Sequence, residues 1–130
     1  MYKIILLLFV NFIFMQNINH DSVQTAENGQ SIEIDVFADL QGQQIISFDL
    51  FYKNSNQTGY FRQSFTSDDD LYYSAIVPAD FVGSSDIYYY ILLETTSNIV
   101  SIPKINPELN PLRVNVIQNR IILFLSPGET

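Results

Sequence analysis

The sequence predicts an all-β protein, an antiparallel β-sandwich of about seven short strands. Three observations carry this. Apolar and polar residues alternate with a period of two in segment after segment. Clusters of Gly, Asn, Asp and Pro separate those segments at roughly 8–12-residue spacing. Beyond an N-terminal apolar run, no segment shows a helical period.

That run comes first. MYKIILLLFVNFIFMQN has Lys3, then apolar residues over positions 4–15 broken only by Asn11. A short positive region followed by roughly 7–15 apolar residues is the layout of an export signal, and the run is shorter than the ~20 residues a spanning helix needs. A signal peptide is therefore expected over residues 1–19, cut between positions 15 and 20. Met15, Gln16 and Asn17 are not the small residues that cleavage favours, so an uncleaved anchor stays open, as does a buried N-terminal segment. Residues 20–30 form a polar lead-in with a turn at Asn28-Gly29.

The sandwich is expected over residues 31–117. Ile32, Ile34 and Val36 alternate with Glu33, Asp35 and Phe37, a half-buried strand. In IISFDLFYK, Ile46, Phe48, Leu50 and Tyr52 share one face, with Ser47, Asp49, Phe51 and Lys53 on the other. After the polar loop NSNQTG, residues 60–66 read as a weaker strand with mixed faces, suited to a sheet edge. SDDD closes it as an acidic turn. Residues 71–77 put Tyr73, Ala75 and Val77 on one side, and Pro78 ends the ladder.

SSDIYYYILLETTS holds the most apolar strand. Ile87, Tyr89, Ile91 and Leu93 form one face, and Tyr88, Tyr90, Leu92 and Glu94 the other. SNIVSIP returns as another strand. Prolines at 103, 107 and 111 make PKINPELNP an extended or turning connection without a ladder. Residues 112–117 alternate again as a last strand. Residues 118–130 start a new apolar run, expected to be a linker or the beginning of a following, truncated module; a terminal strand folding back on the same sandwich is the alternative.

Composition limits the partners. Fourteen Asp and Glu against six Lys and Arg give a net charge of −8, which repels a phosphate backbone and disfavours an anionic lipid surface. Nucleic acid is not expected as a partner, and membrane contact is expected only through the signal segment or a missing C-terminal anchor. With no cysteine, disulfides, thiolate metal sites and thiol nucleophiles are excluded. An exported chain of this kind must hold itself together by core burial, commoner in bacterial than in small animal secreted domains.

The order of these motifs resembles the immunoglobulin-like or fibronectin-type-III-like modules at the front of bacterial surface and outer-membrane proteins. The resemblance rests on Leu50-Phe51-Tyr52-Lys53, then Tyr73, Ala75, Val77, Pro78 and Ala79, then Gly83, then Tyr89, Tyr90 and Ile91. It covers roughly residues 30–117. These are core and turn positions, so the resemblance implies an immunoglobulin-like fold and carries over no catalytic or ligand-binding residue. The lack of a cysteine pair and of tryptophan sets the chain apart from antibody-type domains.

Little chemistry is legible. His20, the only histidine, falls at the expected processing boundary, which argues against a triad or a His-based metal site. No phosphate loop, G-x-S-x-G or H-E-x-x-H motif is present. Asp68, Asp69 and Asp70 form a weak calcium candidate, set against a solvated turn: calcium takes 6–8 ligands and adjacent strand side chains point apart. Glu33 and Asp35 read as a wet face rather than a glycosidase pair. Asn56-Gln57-Thr58 fits the N-glycosylation pattern in a loop.

Tyrosine is the richest feature. Tyr72, Tyr88 and Tyr90 are expected opposite the core positions and would make an outer aromatic patch if their strands were neighbours. Such a patch suits sugar rings or a protein anchor; the plainer reading is that these rings are covered by neighbouring strands or by a following domain. Tyr89 is assigned to the core, with its hydroxyl reaching a rim partner.

The expectation is a non-catalytic module of an exported bacterial protein, in the periplasm, outer membrane or on the cell surface, acting as spacer, docking or adhesion domain. Its partners would be neighbouring domains of the same longer chain or other surface proteins, with glycans as the alternative through exposed tyrosines. No cofactor is expected.

Overall fold

The computed structural model describes residues 17–118. They build two sheets from ten strands: β1 (Asn17–Asn19), β2 (Thr25–Glu27), β3 (Ile32–Asp39), β4 (Ile45–Asn54), β5 (Phe61–Ser64), β6 (Thr66–Ser67), β7 (Tyr72–Val77), β8 (Ile87–Thr95), β9 (Ile99–Ile102) and β10 (Leu112–Ile117). One sheet runs β1-β3-β7-β6; the other runs β2-β10-β8-β4-β5, with β9 also paired to β8. All pairings are antiparallel except β2 with β10. Among the described residues the only helical element is a 3-10 turn at Ala79–Phe81.

The alternation fixes which face is inside. On β3, Ile32, Ile34, Val36 and Ala38 are buried and Glu33 and Asp35 are exposed. On β7 the buried set is Tyr73, Ala75 and Val77. On β8 it includes Ile87, Tyr89, Ile91 and Leu93, which meet Phe48, Leu50 and Tyr52 of β4 across the same sheet and close one core with β3 and β7. Burying a side chain of this size contributes roughly 1.5–3 kcal/mol, so this contiguous cluster is the main source of stability in a chain without disulfides.

The chain crosses between the sheets five times, and two of the crossings interrupt what would otherwise be single strands. After β1, which pairs with β3, it crosses to β2, which pairs with β10. After β5, the edge of the larger sheet, Phe65 turns inward and β6 continues in the smaller one. The expected edge strand over residues 60–66 is thus an edge strand and a crossing in one. Neither β1 nor β2 was expected: β1 takes the last three residues of the segment assigned to a leader, and β2 lies in the polar lead-in. The tail over residues 119–130 and the apolar run over 1–16 lie outside the described residues.

Two turns are set by single residues. Gly29, in the Asn28-Gly29 turn, has φ +82, a left-handed conformation that suits glycine, and its N–H bonds the Val82 carbonyl at 2.8 Å. In the SDDD turn, Asp70 takes φ 58, which aspartate tolerates. There the Asp69 carboxylate accepts the N–H groups of Leu71 at 3.0 Å and Tyr72 at 2.8 Å and the Ser67 hydroxyl at 3.1 Å. The backbone donors of Tyr72 and Leu71 hold the Asp69 carboxyl below its ordinary range.

A depressed native pKa gives stability that is complete above the unfolded value near 3.9 and is lost as pH falls through the native value. Asp69→Asn is therefore expected to unfold more easily than wild type at pH 7, with the gap closing on acidification below about pH 4. Urea midpoints measured across pH 2–7 check this; a gap that persists at the acid end would refute it.

Candidate functional site

The outer face of the larger sheet is built in rows, because side chains directly opposite on paired strands stand side by side. One row is Lys53–Tyr88–Arg113; the next is Arg62–Phe51–Tyr90. The Phe51 and Tyr90 rings stack at 4.8 Å with an interplanar angle of 7°. Tyr60, from the β4–β5 loop, closes edge-on over Tyr90 at 4.9 Å. Cations flank the rings: Arg62 lies 5.9 Å from the Phe51 centroid, Lys53 4.7 Å from Tyr60, and Arg113 6.0 Å from Tyr88.

A strap covers part of this face. Residues 103–111 leave the sheet after β9 and return as β10, and both strands pair with the same edge of β8. The strap is tied down by the Tyr60 hydroxyl, which donates to the Glu108 carbonyl at 2.9 Å, and by the Ser101 hydroxyl on the Pro103 carbonyl at 2.8 Å. Burial, then the Glu108 carboxylate, pushes the Tyr60 and Tyr90 hydroxyls up, so both remain neutral well above pH 7.

A groove lies on each side of the strap. One, of about 430 Å³, is lined by Lys53, Ser55, Gln57, Tyr88, Glu108 and Leu109 among others. The second, of about 520 Å³, is lined by Leu92, Ile99, Val100, Ser101, Lys104 and Pro107.

Two ion pairs brace the sheet around these rows. The buried Asp49 carboxylate meets Arg62 Nε at 3.1 Å and accepts the Ser64 hydroxyl, anchoring edge strand β5. Asp86 accepts Arg113 Nε at 2.9 Å and the Val116 N–H at 2.9 Å, and these bonds, the backbone one first, hold its carboxyl below the ordinary range.

The three-tyrosine patch, expected if the strands of Tyr72 and Tyr88 were neighbours, does not assemble. β7 lies between β3 and β6 in the smaller sheet, so Tyr72, 65% exposed, projects from the opposite side of the molecule beside Phe37. Tyr90 points outward as expected but is only 6% exposed, because Phe51 and Tyr60 cover it. Tyr88 faces the groove beside the strap, and Tyr72 lines a separate pocket of about 260 Å³ on the smaller sheet. Asp68, Asp69 and Asp70 lie on an exposed turn, with the Asp69 carboxylate engaged by backbone donors. Among the described residues no three His, Asp or Glu side chains are grouped to hold a metal ion.

Two participants were not legible. Tyr60 sits in a loop with no period, and only the strap, 48 residues away, gives it a role. His20, expected outside the fold, joins it: Tyr89, fully buried, bonds His20 Nε2 at 2.7 Å and accepts the Val23 N–H at 3.2 Å. His20 Nδ1 meets the Asp35 carbonyl at 2.6 Å. A carbonyl only accepts, so Nδ1 donates there and, in a neutral ring, Nε2 accepts from the Tyr89 hydroxyl. Tyr89 is thus in the core with a rim partner, as assigned, but the partner is the lead-in between β1 and β2.

Fold and surface together define a small all-β sandwich with an aromatic, cation-flanked outer face. No protein-family model matches the chain, and no curated protein matches it.

Proposed function

We propose that this chain is a non-catalytic, immunoglobulin-like module of an exported bacterial protein, serving as a spacer, docking or adhesion domain. The order β1-β3-β7-β6 against β2-β10-β8-β4-β5 carries the reading: it is compatible with an immunoglobulin-like sandwich, including a first strand divided between the sheets. Such a module works by holding its neighbours at fixed geometry and offering outer faces and strand edges for contact. The Lys3-led apolar run supports export. Fusing the chain ahead of a phosphatase that becomes active only outside the cytoplasm is expected to give activity that is lost when residues 1–15 are deleted. An inactive fusion would remove the exported context.

A second reading, carbohydrate binding, is favoured by one observation. Tyr88 offers part of its ring to a groove that also holds Lys53, Gln57 and Glu108, the mixture of ring face, donors and acceptors that sugar hydroxyls need. Polysaccharide retention that Tyr88→Ala abolishes, with unchanged melting, is the expected result. No retention by either form would sink the sugar reading and leave the module reading standing.

A further inference from the structure

Tyr73 carries a group that the core does not need. It is only 6% exposed and packs its ring against Phe48, yet its hydroxyl makes no hydrogen bond among the described residues. A buried hydroxyl is ordinarily partnered, because leaving it unpaired costs stability. Burial, then the carboxylates of Asp70 and Asp69, raises its pKa, so the hydroxyl keeps its proton well above pH 7.

The Tyr73 side chain lines, from the core side, a cleft of about 540 Å³ where the β3–β4 loop meets the turn before β7. Asp39, Gln41, Gln44 and Asp70 line it as well, and Leu40 and Ile45 supply apolar wall. The β3–β7 ladder brings the two aspartates together. Phe37 pairs with Tyr72, and the Ala38 N–H donates to the Leu71 carbonyl at 2.8 Å, so the next step sets Asp39 abreast of Asp70. Like charges facing each other across a ladder work against the fold. No Lys, Arg or His lines the cleft, and neither aspartate has an ion pair among the described residues. The Asp39 carboxylate accepts the Gln41 N–H at 3.3 Å and the Gln41 side-chain amide at 3.2 Å, which leaves lone pairs on both of its oxygens.

Two uncompensated carboxylates and an unpartnered buried hydroxyl call for an occupant with positive charge and several N–H donors. A metal ion fits poorly: among the described residues no three Asp, Glu or His side chains are grouped to hold one, and the cleft is large beside a single ion. A guanidinium fits well. It is planar, its five donors form a fork that engages carboxylates two bonds at a time, and it is more weakly hydrated than an ammonium, so it tolerates apolar neighbours such as Leu40 and Ile45.

We propose that this cleft binds a guanidinium group, held by the Asp39 and Asp70 carboxylates and by the Tyr73 oxygen, which accepts a further N–H. The Tyr73 proton then turns to a carboxylate, and the hydroxyl is satisfied only in the complex. The site goes beyond the module reading and is separate from the Tyr88 groove: Ile45, at the start of β4, lines the cleft, and Lys53, near its end, lines the groove.

Titrating the full chain with butylguanidinium, followed by amide chemical shifts, tests this. Saturable shifts confined to residues 39–45 and 70–73 are expected, with half-saturation on the order of 1–10 mM for contacts so few and partly solvated. Butylammonium, a point charge without the fork, is expected to bind about fivefold more weakly. Asp39→Asn and Asp70→Asn are each expected to lose about tenfold in affinity, and asparagine tolerates the φ of 58 at position 70, so the turn is kept. Tyr73→Phe separates binding from structure. It is expected to lose about threefold in affinity yet melt at or above the wild-type temperature, because the free chain loses only an unpaired hydroxyl. Lower melting with binding retained would overturn the inference. So would the absence of saturable shifts up to about 100 mM, or calcium chloride producing these shifts where butylguanidinium gives none. Two sources carry the group, a free small molecule and an arginine side chain of a partner protein. A Gly-Arg-Gly peptide that binds about tenfold more tightly than butylguanidinium assigns the site to a peptide, and equal affinity assigns it to a free compound; both support the site.

Discussion

Leu50→Ala is expected to destabilise the chain by about 2–5 kcal/mol, the cost of removing a fully buried leucine and leaving a partly collapsed cavity. Leu50 lies mid-strand on β4, opposite Ile91 on β8 and Gln63 on β5, and belongs to the single core cluster. Its backbone is held between two ladders, so the sheet cannot move in to fill the space. At about 4–8 °C per kcal/mol for a domain of this size, thermal melting followed by circular dichroism would register a fall of about eight degrees or more. The informative control is Ile46→Ala. Simple alternation puts Ile46 and Leu50 on the same face, yet a register shift between Ile45 and Ser47 turns Ile46 out to solvent. Its substitution is expected to change stability by less than about 0.5 kcal/mol. Equal losses at both positions would contradict the bulge.

Tyr89→Phe keeps the ring and removes one oxygen, and it is expected to cost about 1–3 kcal/mol, because the buried groups around the hydroxyl lose their partner. The Val23 N–H and His20 Nε2 both converge on that oxygen, and Tyr89 itself is fully buried. The loss should be localised. Amide exchange at Val23 and along β1 and β2 is expected to accelerate, while the β4 and β8 ladders exchange as before. Tyr88→Phe, whose hydroxyl makes no hydrogen bond among the described residues, serves as the comparison. Unchanged exchange at Val23 would show that the hydroxyl does not hold the lead-in. Burial also raises the Tyr89 pKa, so its contribution to stability is complete below about pH 10, the unfolded value, and is lost as pH rises through the native one.

These two residues also show where sequence legibility stops. β3 and β7 were readable because one face of each is buried and the other is largely not, and a period of two records that difference directly. β1 and β2 were not, because NIN and TAE have no pattern of their own; they are strands because β3 and β10 supply partners. Alternation states which side of its strand a residue takes, but not which sheet the strand joins. Tyr72 was therefore placed correctly on an outward side, while the condition for a shared patch, that its strand neighbour that of Tyr88, is not met. Nor does outward mean uncovered, since Tyr90 is hidden by a loop residue and a neighbouring ring whose approach depends on contacts far apart in sequence. His20 joins the fold only through partners 15 and 69 positions away, beyond any local signal.

The division of one side of β8 between β9 and β10 has a consequence for how the surface can change. Each half holds its own register on β8, at Ile91–Ile102 and at Tyr89–Leu112, so the strap between them bears no alignment. Lengthening it costs only the slowly growing entropy of closing a larger loop. The sandwich can therefore exchange the segment it displays there while its frame stays the same, which makes the strap a graft point, where new recognition sequence could be installed without renegotiating the fold.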